Sequence, residues 1–303
     1  MYDIIIIGGG PAGMSAALYS LRNNKRVLVI EKEAFGGQIA TSPRVENYPT
    51  IKEISGLELS EKMFDQIADL GVEFELDEVL EIKKEGDIFK IKTFYNKYEA
   101  KSVIIASGVK HRHLGIDREE EFTGHGLSYC AVCDGPFFKD KEIVVIGDAN
   151  TALQSVILLS TYCKQIHLCL LFDRFFAEES LVEKVLSLPN VDVRKEIEIE
   201  QLVGAEELSG LIFKDKKSGE KVEYKCDGAF VFIGQVPDNK KFENVVDIDK
   251  QGYIIADESC MTKTEGLFVA GDCRTKKIRQ VTTANADGSI AALNAVNYLN
   301  NKF

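Results

Sequence analysis

The chain has 303 residues, 45% of them apolar and 28% charged, with a formal net charge of −11. At about 150 residues per domain, that length implies two domains, and the composition excludes a disordered chain. No apolar run approaches the ~20 residues of a membrane helix, and so acidic a chain lacks the basic surface that grips nucleic-acid phosphates.

Met1-Tyr2-Asp3 leads straight into Ile4-Ile5-Ile6-Ile7 with no basic stretch ahead of it, so no cleavable leader is expected. The isoleucines read as a buried strand. Gly8-Gly9-Gly10-Pro11-Ala12-Gly13 follows, and then Met14, Ala17, Leu18 and Leu21 recur at helical spacing. Val27-Leu28-Val29-Ile30 is a second buried-type strand, ending at Glu31 and Lys32. Strand, glycine turn, helix and strand make a βαβ unit. In Gly8-x-Gly10-x-x-Gly13 the first glycine permits the tight turn. The second lets backbone approach a pyrophosphate, and the third lets the helix pack closely. The helix N-terminus favours the phosphates, and Glu31 is set to accept hydrogen bonds from a ribose diol. The unit therefore predicts dinucleotide binding.

The stretches 82–91 and 97–106 read as antiparallel strands covering one face of a sheet. A second βαβ unit begins at Ile143-Val144-Val145-Ile146. It turns through Gly147-Asp148-Ala149-Asn150-Thr151-Ala152 into a helix with Val156, Leu159 and Ser160, and continues as a strand over 166–172. Further antiparallel strands are expected over 222–232 and 252–256, and a helix over 289–299.

Between the two units lies Cys130-Ala131-Val132-Cys133-Asp134-Gly135. The other five of the seven cysteines (Cys163, Cys169, Cys226, Cys260, Cys273) and the four histidines offer no second pair at zinc-ligand spacing. A redox dithiol is the favoured reading. One thiolate attacks, the second resolves, and two intervening residues allow a small ring. Asp134 could supply the proton to a leaving thiolate. The remaining cysteines read as core or surface bystanders, and an odd count in a long chain suggests a reducing cytoplasm.

Taken together, these motifs resemble the low-molecular-weight thioredoxin reductases over nearly the whole chain. Gly36-Gly37-Gln38 and Val45-Glu46-Asn47-Tyr48-Pro49 are similar to that family's flavin loop, and Ile104-Ile105-Ala106-Ser107-Gly108 to its "ATG" strand. Gly266-Leu267-Phe268-Val269-Ala270-Gly271-Asp272 resembles the second FAD fingerprint, and Arg279-Gln280-Val281 with Ala284 the segment lying against the isoalloxazine. The resemblance implies an α/β protein of two Rossmann-like, three-layer ββα domains. An FAD domain of residues 1–112 and 241–303 is interrupted by a CxxC domain of residues 113–240. It implies a homodimer, non-covalent FAD and thioredoxin as partner. The cofactor residues it implies are Gly8, Gly10, Pro11, Ala12, Gly13, Glu31, Lys32, Gly37, Gln38, Asn47, Val79, Ala106, Gly271, Asp272, Arg279, Gln280, Val281 and Ala284. The catalytic residues are Cys130, Cys133 and Asp134, with Cys133 facing the flavin.

The chain departs from the family where NADPH would bind. The family's GGGxSA turn is here Gly147-Asp148-Ala149-Asn150-Thr151-Ala152, so a Cβ stands at the middle glycine position and a carboxylate beside it. The family's His-Arg-Arg-Asp-x-Phe-Arg-Ala is here Leu170-Leu171-Phe172-Asp173-Arg174-Phe175-Phe176-Ala177. The cations that would hold a 2′-phosphate are apolar. Each lost charge-assisted bond is worth about 1.5–3 kcal/mol. NADH escapes part of this, with Asp173 as a candidate ribose partner. The pattern is similar to the ferredoxin-linked flavin thioredoxin reductases, and a flavin can take electrons singly and deliver them in pairs. Reduced ferredoxin is therefore the expected donor. Lys276-Lys277 with Arg279, or Lys110-His111-Arg112-His113, would be its basic docking patch. NADPH or NADH, flavodoxin and a deazaflavin remain alternative donors, and a non-enzymatic sensing module is the reading the intact CxxC-Asp argues against.

Overall fold

Ile4 to Ile7 form the buried heart of β1 (Tyr2–Ile7), as β-branched residues on a sheet covered on both faces should. The computed structural model describes residues 1–303 apart from Pro43, Arg44 and Glu46, and apart from the side chains of Thr41 and Gln235. Glu46 of the expected flavin loop thus lies outside the described residues. The chain forms two units, Met1–Lys110 with Val236–Phe303, and His111–Gln235 between them.

In the first unit β1 is followed by α1 (Pro11–Arg22), β2 (Val27–Glu31), α2 (Gly56–Ala68), β3 (Glu73–Leu76), β4 (Val79–Glu85), β5 (Ile88–Thr93) and β6 (Lys97–Ile105). The sheet order is β3-β2-β1-β6-β5-β4, with β1 parallel to both β2 and β6. Alternate residues of the central strands feed opposite faces. Ile4, Ile6, Val27 and Val29 pack with Met14 and Ala17 of α1, whereas Ile5, Ile7, Leu28 and Ile30 pack with Ile82, Phe89 and Ile91. The stretch 82–91 does cover one face, but as a hairpin rather than one strand. It breaks at Gly86, whose φ of +62° suits a glycine turn, and it continues the sheet through β6.

β7 (Lys110–His111) marks the crossing into the second unit, which contains α3 (Glu119–Phe122), β8 (Leu127–Ser128), α4 (Ala131–Asp134), β9 (Glu142–Ile146), α5 (Asn150–Leu159), β10 (Gln165–Cys169) and α6 (Glu179–Leu186). β11 (Val191–Arg194), β12 (Ile197–Gly204), β13 (Leu208–Asp215), β14 (Lys221–Lys225) and β15 (Gly228–Val231) complete it, and β16 (Gln235–Val236) marks the crossing back. A five-stranded parallel sheet, β11-β10-β9-β15-β8, carries α5 and α6 on one face, where Leu153, Val156 and Val185 meet Ile143 and Ile166. The antiparallel β12-β13-β14 sheet covers the other face through Leu202, Leu211 and Phe213.

Three expectations change here. The stretch 222–232 is two strands in two sheets, because Asp227 ties itself to Glu142 at the break. The strand expected over 166–172 ends at Cys169, and the exposed Leu171 and Phe172 lie past the sheet's edge. Residues 252–256 make isolated bridges at Ile254 rather than a strand.

On its return to the first unit the chain adds β17 (Leu267–Val269) parallel to β6 and ends in α7 (Val281–Lys302). This helix begins earlier than the apolar stripe suggests, because Gln280 and Thr283 form a reciprocal cap. A Cβ on Gly288 would lie 2.1 Å from the Ala12 carbonyl, so glycine there lets α7 and α1 touch. Among the described residues no helix is long and apolar enough to cross a membrane. Cys163, Cys169, Cys226, Cys260 and Cys273 are all buried core thiols.

Candidate active site and cofactor cradle

Cys130 and Cys133 are joined as a disulfide in the second unit. Cys130 has extended backbone and caps the single turn of α4, so its sulfur accepts the Cys133 N–H at 3.1 Å. A donor at that distance favours negative charge on Cys130 once the bond opens. Ser128 holds both ends of the motif. Its hydroxyl accepts the Cys130 N–H at 3.0 Å and donates to Asp134 Oδ2 at 2.6 Å. The other carboxylate oxygen, Asp134 Oδ1, is buried with no hydrogen-bond partner among the described residues. Burial pushes the Asp134 carboxyl up from its ordinary range, against the opposing bond from Ser128. Ser128 escaped the sequence reading because only the fold turns residue 128 toward residue 134.

The other expected site residues lie in the first unit. Gly8 has φ of +111°, and a Cβ there would sit 2.2 Å from the Ala106 carbonyl. A Cβ on Gly13 would sit 1.9 Å from the Gly8 carbonyl. Gly10 faces Gly37 instead, leaving an open slot at the start of α1. That helix has Pro11 in its first turn, no acid there, and no side-chain cap on its N–H groups. Glu31 Oε2 accepts the Gly9 N–H at 2.6 Å and Oε1 the Glu33 N–H at 2.9 Å, which fixes the carboxylate while leaving lone pairs for a further donor. Lys32 pairs with Asp238 at 3.5 Å. Gln38 donates to the Val109 carbonyl, and Asn47 reaches Gln280 Oε1 at 3.4 Å. Val79 and Ala106 are buried, so only their backbone can meet a ligand.

Ala12 meets Gly271, whose φ is +81° and whose Cβ, if present, would lie 2.8 Å from the Ala12 methyl. Arg279 lies over the Tyr253 ring at 4.2 Å and donates to the Asp272 carbonyl at 3.3 Å. Val281 opens α7, and Ala284 is buried one turn along. Asp272 Oδ1 is buried with no hydrogen-bond partner among the described residues, and burial pushes this carboxyl up to about 6 against Lys276 and Arg279. An orphaned carboxylate oxygen, a glycine slot and a bare helix start fit a cofactor that brings hydroxyls and a pyrophosphate.

The second glycine turn is occupied by its own chain. Ala149 bridges to Phe176, the Phe176 N–H donates to the Asp148 carbonyl at 2.8 Å, and Asn150 exchanges hydrogen bonds with Glu178. Leu171, Phe172 and Phe176 are 40%, 45% and 50% exposed. Cations stand near these rings: Arg174 lies 5.0 Å from Phe176, Lys216 5.6 Å from Phe172, and Lys195 5.2 Å from Phe175.

The expected docking patches change. The Lys276 side chain is 7% exposed and locked to Asp287. Lys110 pairs with Glu33, and His111 stacks on Tyr129 with burial holding it down to about 4. Lys277, Arg112 and His113 are exposed, as is Lys110 in its pair with Glu33.

A glycine-turn cofactor fold joined in one chain to a Cys-x-x-Cys disulfide defines a pyridine nucleotide-disulphide oxidoreductase, and residues 2–288 match that family's profile. The chain is 42% identical over 299 residues to the thioredoxin reductase of Treponema pallidum (strain Nichols), covering 98% of this chain and 97% of that protein. It is 40% identical over 305 residues to the thioredoxin reductase of Bacillus subtilis (strain 168), covering 99% and 95%. The solved thioredoxin reductase from Streptococcus pyogenes MGAS5005 superposes with a TM-score of 0.96 at 37% identity, covering 99% of each chain. The chain belongs to the low-molecular-weight thioredoxin reductases, flavin disulfide oxidoreductases that bind FAD.

Proposed function

We propose that the chain reduces the disulfide of thioredoxin through Cys130 and Cys133, with electrons from reduced ferredoxin rather than NADPH. The thioredoxin reductases it resembles at up to 42% identity support the acceptor. FAD, when bound, supplies the electron pair that opens the Cys130–Cys133 bond. Gly10 and Gly37 would leave room for its pyrophosphate beside the tight turn that Gly8 and Gly13 permit, Glu31 would accept from its ribose, and Asp272 would accept from a chain hydroxyl. Cys133 is the sulfur on the flavin side. Cys130 leaves as a thiolate stabilised by the Cys133 N–H at 3.1 Å. It then attacks one sulfur of the thioredoxin disulfide, and the second thioredoxin sulfur leaves. Cys133 resolves the mixed disulfide, which restores the Cys130–Cys133 bond and releases dithiol thioredoxin. Asp134, raised by burial, carries the proton between these thiols. The enzyme works as a homodimer in the cytoplasm.

The donor assignment rests on one observation. Ala149 and Asp148 are bridged to Phe176 over the second glycine turn, and Leu171, Phe172 and Phe176 stand where the family carries cations. A pyridine-nucleotide donor is the second reading, favoured by Arg174, Lys195 and Lys216 around the same rings. Anaerobic mixing decides between them. Reduced ferredoxin should drive thiol appearance in oxidised thioredoxin, while NADPH or NADH leaves the flavin band unbleached. Fast bleaching by micromolar nucleotide overturns the ferredoxin assignment.

A further inference from the structure

Asp287, in the second turn of α7, accepts four hydrogen bonds on one carboxylate. They come from the Gly271 N–H at 3.0 Å, Arg274 Nε at 2.9 Å, Arg274 Nη2 at 2.8 Å and Lys276 Nζ at 2.8 Å. Arg274 and Asp287 are 3% and 4% exposed. Lys276 Nζ also stands 4.0 Å from Asp272 Oδ1, the buried oxygen that accepts no hydrogen bond among the described residues. Two cations and two carboxylates thus balance in one buried cluster under the Gly271–Asp272 turn. So dense an arrangement is expensive to desolvate and needs every member. None of Arg274, Lys276 or Asp287 touches the slot at Gly10 and Gly37 in any described contact.

We propose that Lys276 is a positioning residue for FAD: by bridging Asp287 and Asp272 it ties the Gly271–Asp272 turn to α7 and keeps Asp272 an acceptor for a cofactor hydroxyl. The inference rests on FAD as the family's cofactor and concerns how this chain holds it. Asp272 is faced by Asp287 from α7, and by Arg274, Lys276 and Arg279 from the following segment. The neighbouring Cys273 is a buried thiol pushed up by burial, and α1 presents the uncharged Ala12. Removing Lys276 leaves Asp287 against Arg274 alone, and Asp272 with only Arg279 and Arg274 to offset Asp287. At low effective dielectric, a carboxylate so placed takes up a proton more readily. A protonated Asp272 accepts a hydroxyl more weakly, because the neutral acid loses the charge-assisted part of that bond. Burial already lifts it to about 6, so FAD affinity falls as pH drops through that value, and loss of Lys276 moves the fall toward neutrality.

The test is FAD release from the full-length holoenzyme, followed by flavin fluorescence from about pH 5 to pH 8, with far-UV circular dichroism on the same samples. Lys276→Met should shift the release midpoint upward by about one pH unit and weaken FAD roughly tenfold near neutrality. Lys276→Arg, which keeps the charge, should restore both. A folded Lys276→Met protein with the wild-type midpoint overturns the proposal. The wild-type protein is the independent check: a flat FAD affinity across this range also overturns it, whether or not the variant folds.

Discussion

Gly10 and Gly37 face each other so closely that a Cβ on Gly37 would lie 3.2 Å from the Gly10 Cα, while one on Gly10 would meet nothing nearer than the Gly37 Cα at 3.9 Å. Gly10 also has ordinary backbone, with φ of −78°. Gly10→Val therefore fits the protein but fills the slot. FAD content of purified Gly10→Val should fall at least about tenfold, with the circular dichroism spectrum unchanged. Full FAD content would show that the cofactor does not pass this slot.

Cys130→Ser and Cys133→Ser each leave a single thiol, which can start an exchange but cannot complete it. Thioredoxin-disulfide turnover should drop below about 0.1% of wild type in both. Bound FAD, measured by absorbance, should stay at the wild-type level, because the cysteines and the glycine slot belong to different units.

Asp134 has a carboxyl raised above its ordinary 3.8 by burial. A carboxyl raised on folding contributes stability that is fully present below its unfolded value and is lost as pH rises through the folded one. Wherever it ionises in the folded protein, the buried Asp134 carboxylate is thus a net liability. Asp134→Asn should raise the melting temperature at pH 7 by about 2 °C and leave it unchanged near pH 3. The same variant should lose about 100-fold in turnover if Asp134 carries the thiol proton. Wild-type turnover in Asp134→Asn would end that role.

Leu171, Phe172 and Phe176 are exposed, so arginine at each costs little stability. The combination Ala149→Gly, Leu171→Arg, Phe172→Arg and Phe176→Arg restores the middle glycine and the three cations of the family pattern. Each new charge-assisted bond to a 2′-phosphate adds about 1.5–3 kcal/mol, roughly tenfold or more in affinity. Stopped-flow mixing should show flavin bleaching by NADPH in this variant and none in the parent. Equal behaviour of the two proteins would mean that these positions do not select the donor.

What could be read from the sequence was local. Gly8-x-Gly10-x-x-Gly13 between a strand and a helix, and Cys130-x-x-Cys133 with its neighbouring acid, carry their chemistry within a few residues of chain. Their geometry follows from backbone requirements that any fold must respect. The unbroken apolar run of Ile4 to Ile7 likewise fixed a strand buried on both faces. Contacts between distant residues were out of reach. Ser128 meets Asp134 only because β8 and α4 bend together, and Lys276, which reads as a surface cation, is buried because α7 brings Asp287 to it. The stretch 222–232 reads as one antiparallel strand, yet Asp227 divides it between two sheets through its bonds to Glu142. Composition and spacing along the chain thus determined the cofactor class and the redox pair. The tertiary structure decided which charges are buried together and which loop lies across the second glycine turn, because those outcomes depend on desolvation and on partners far away in sequence.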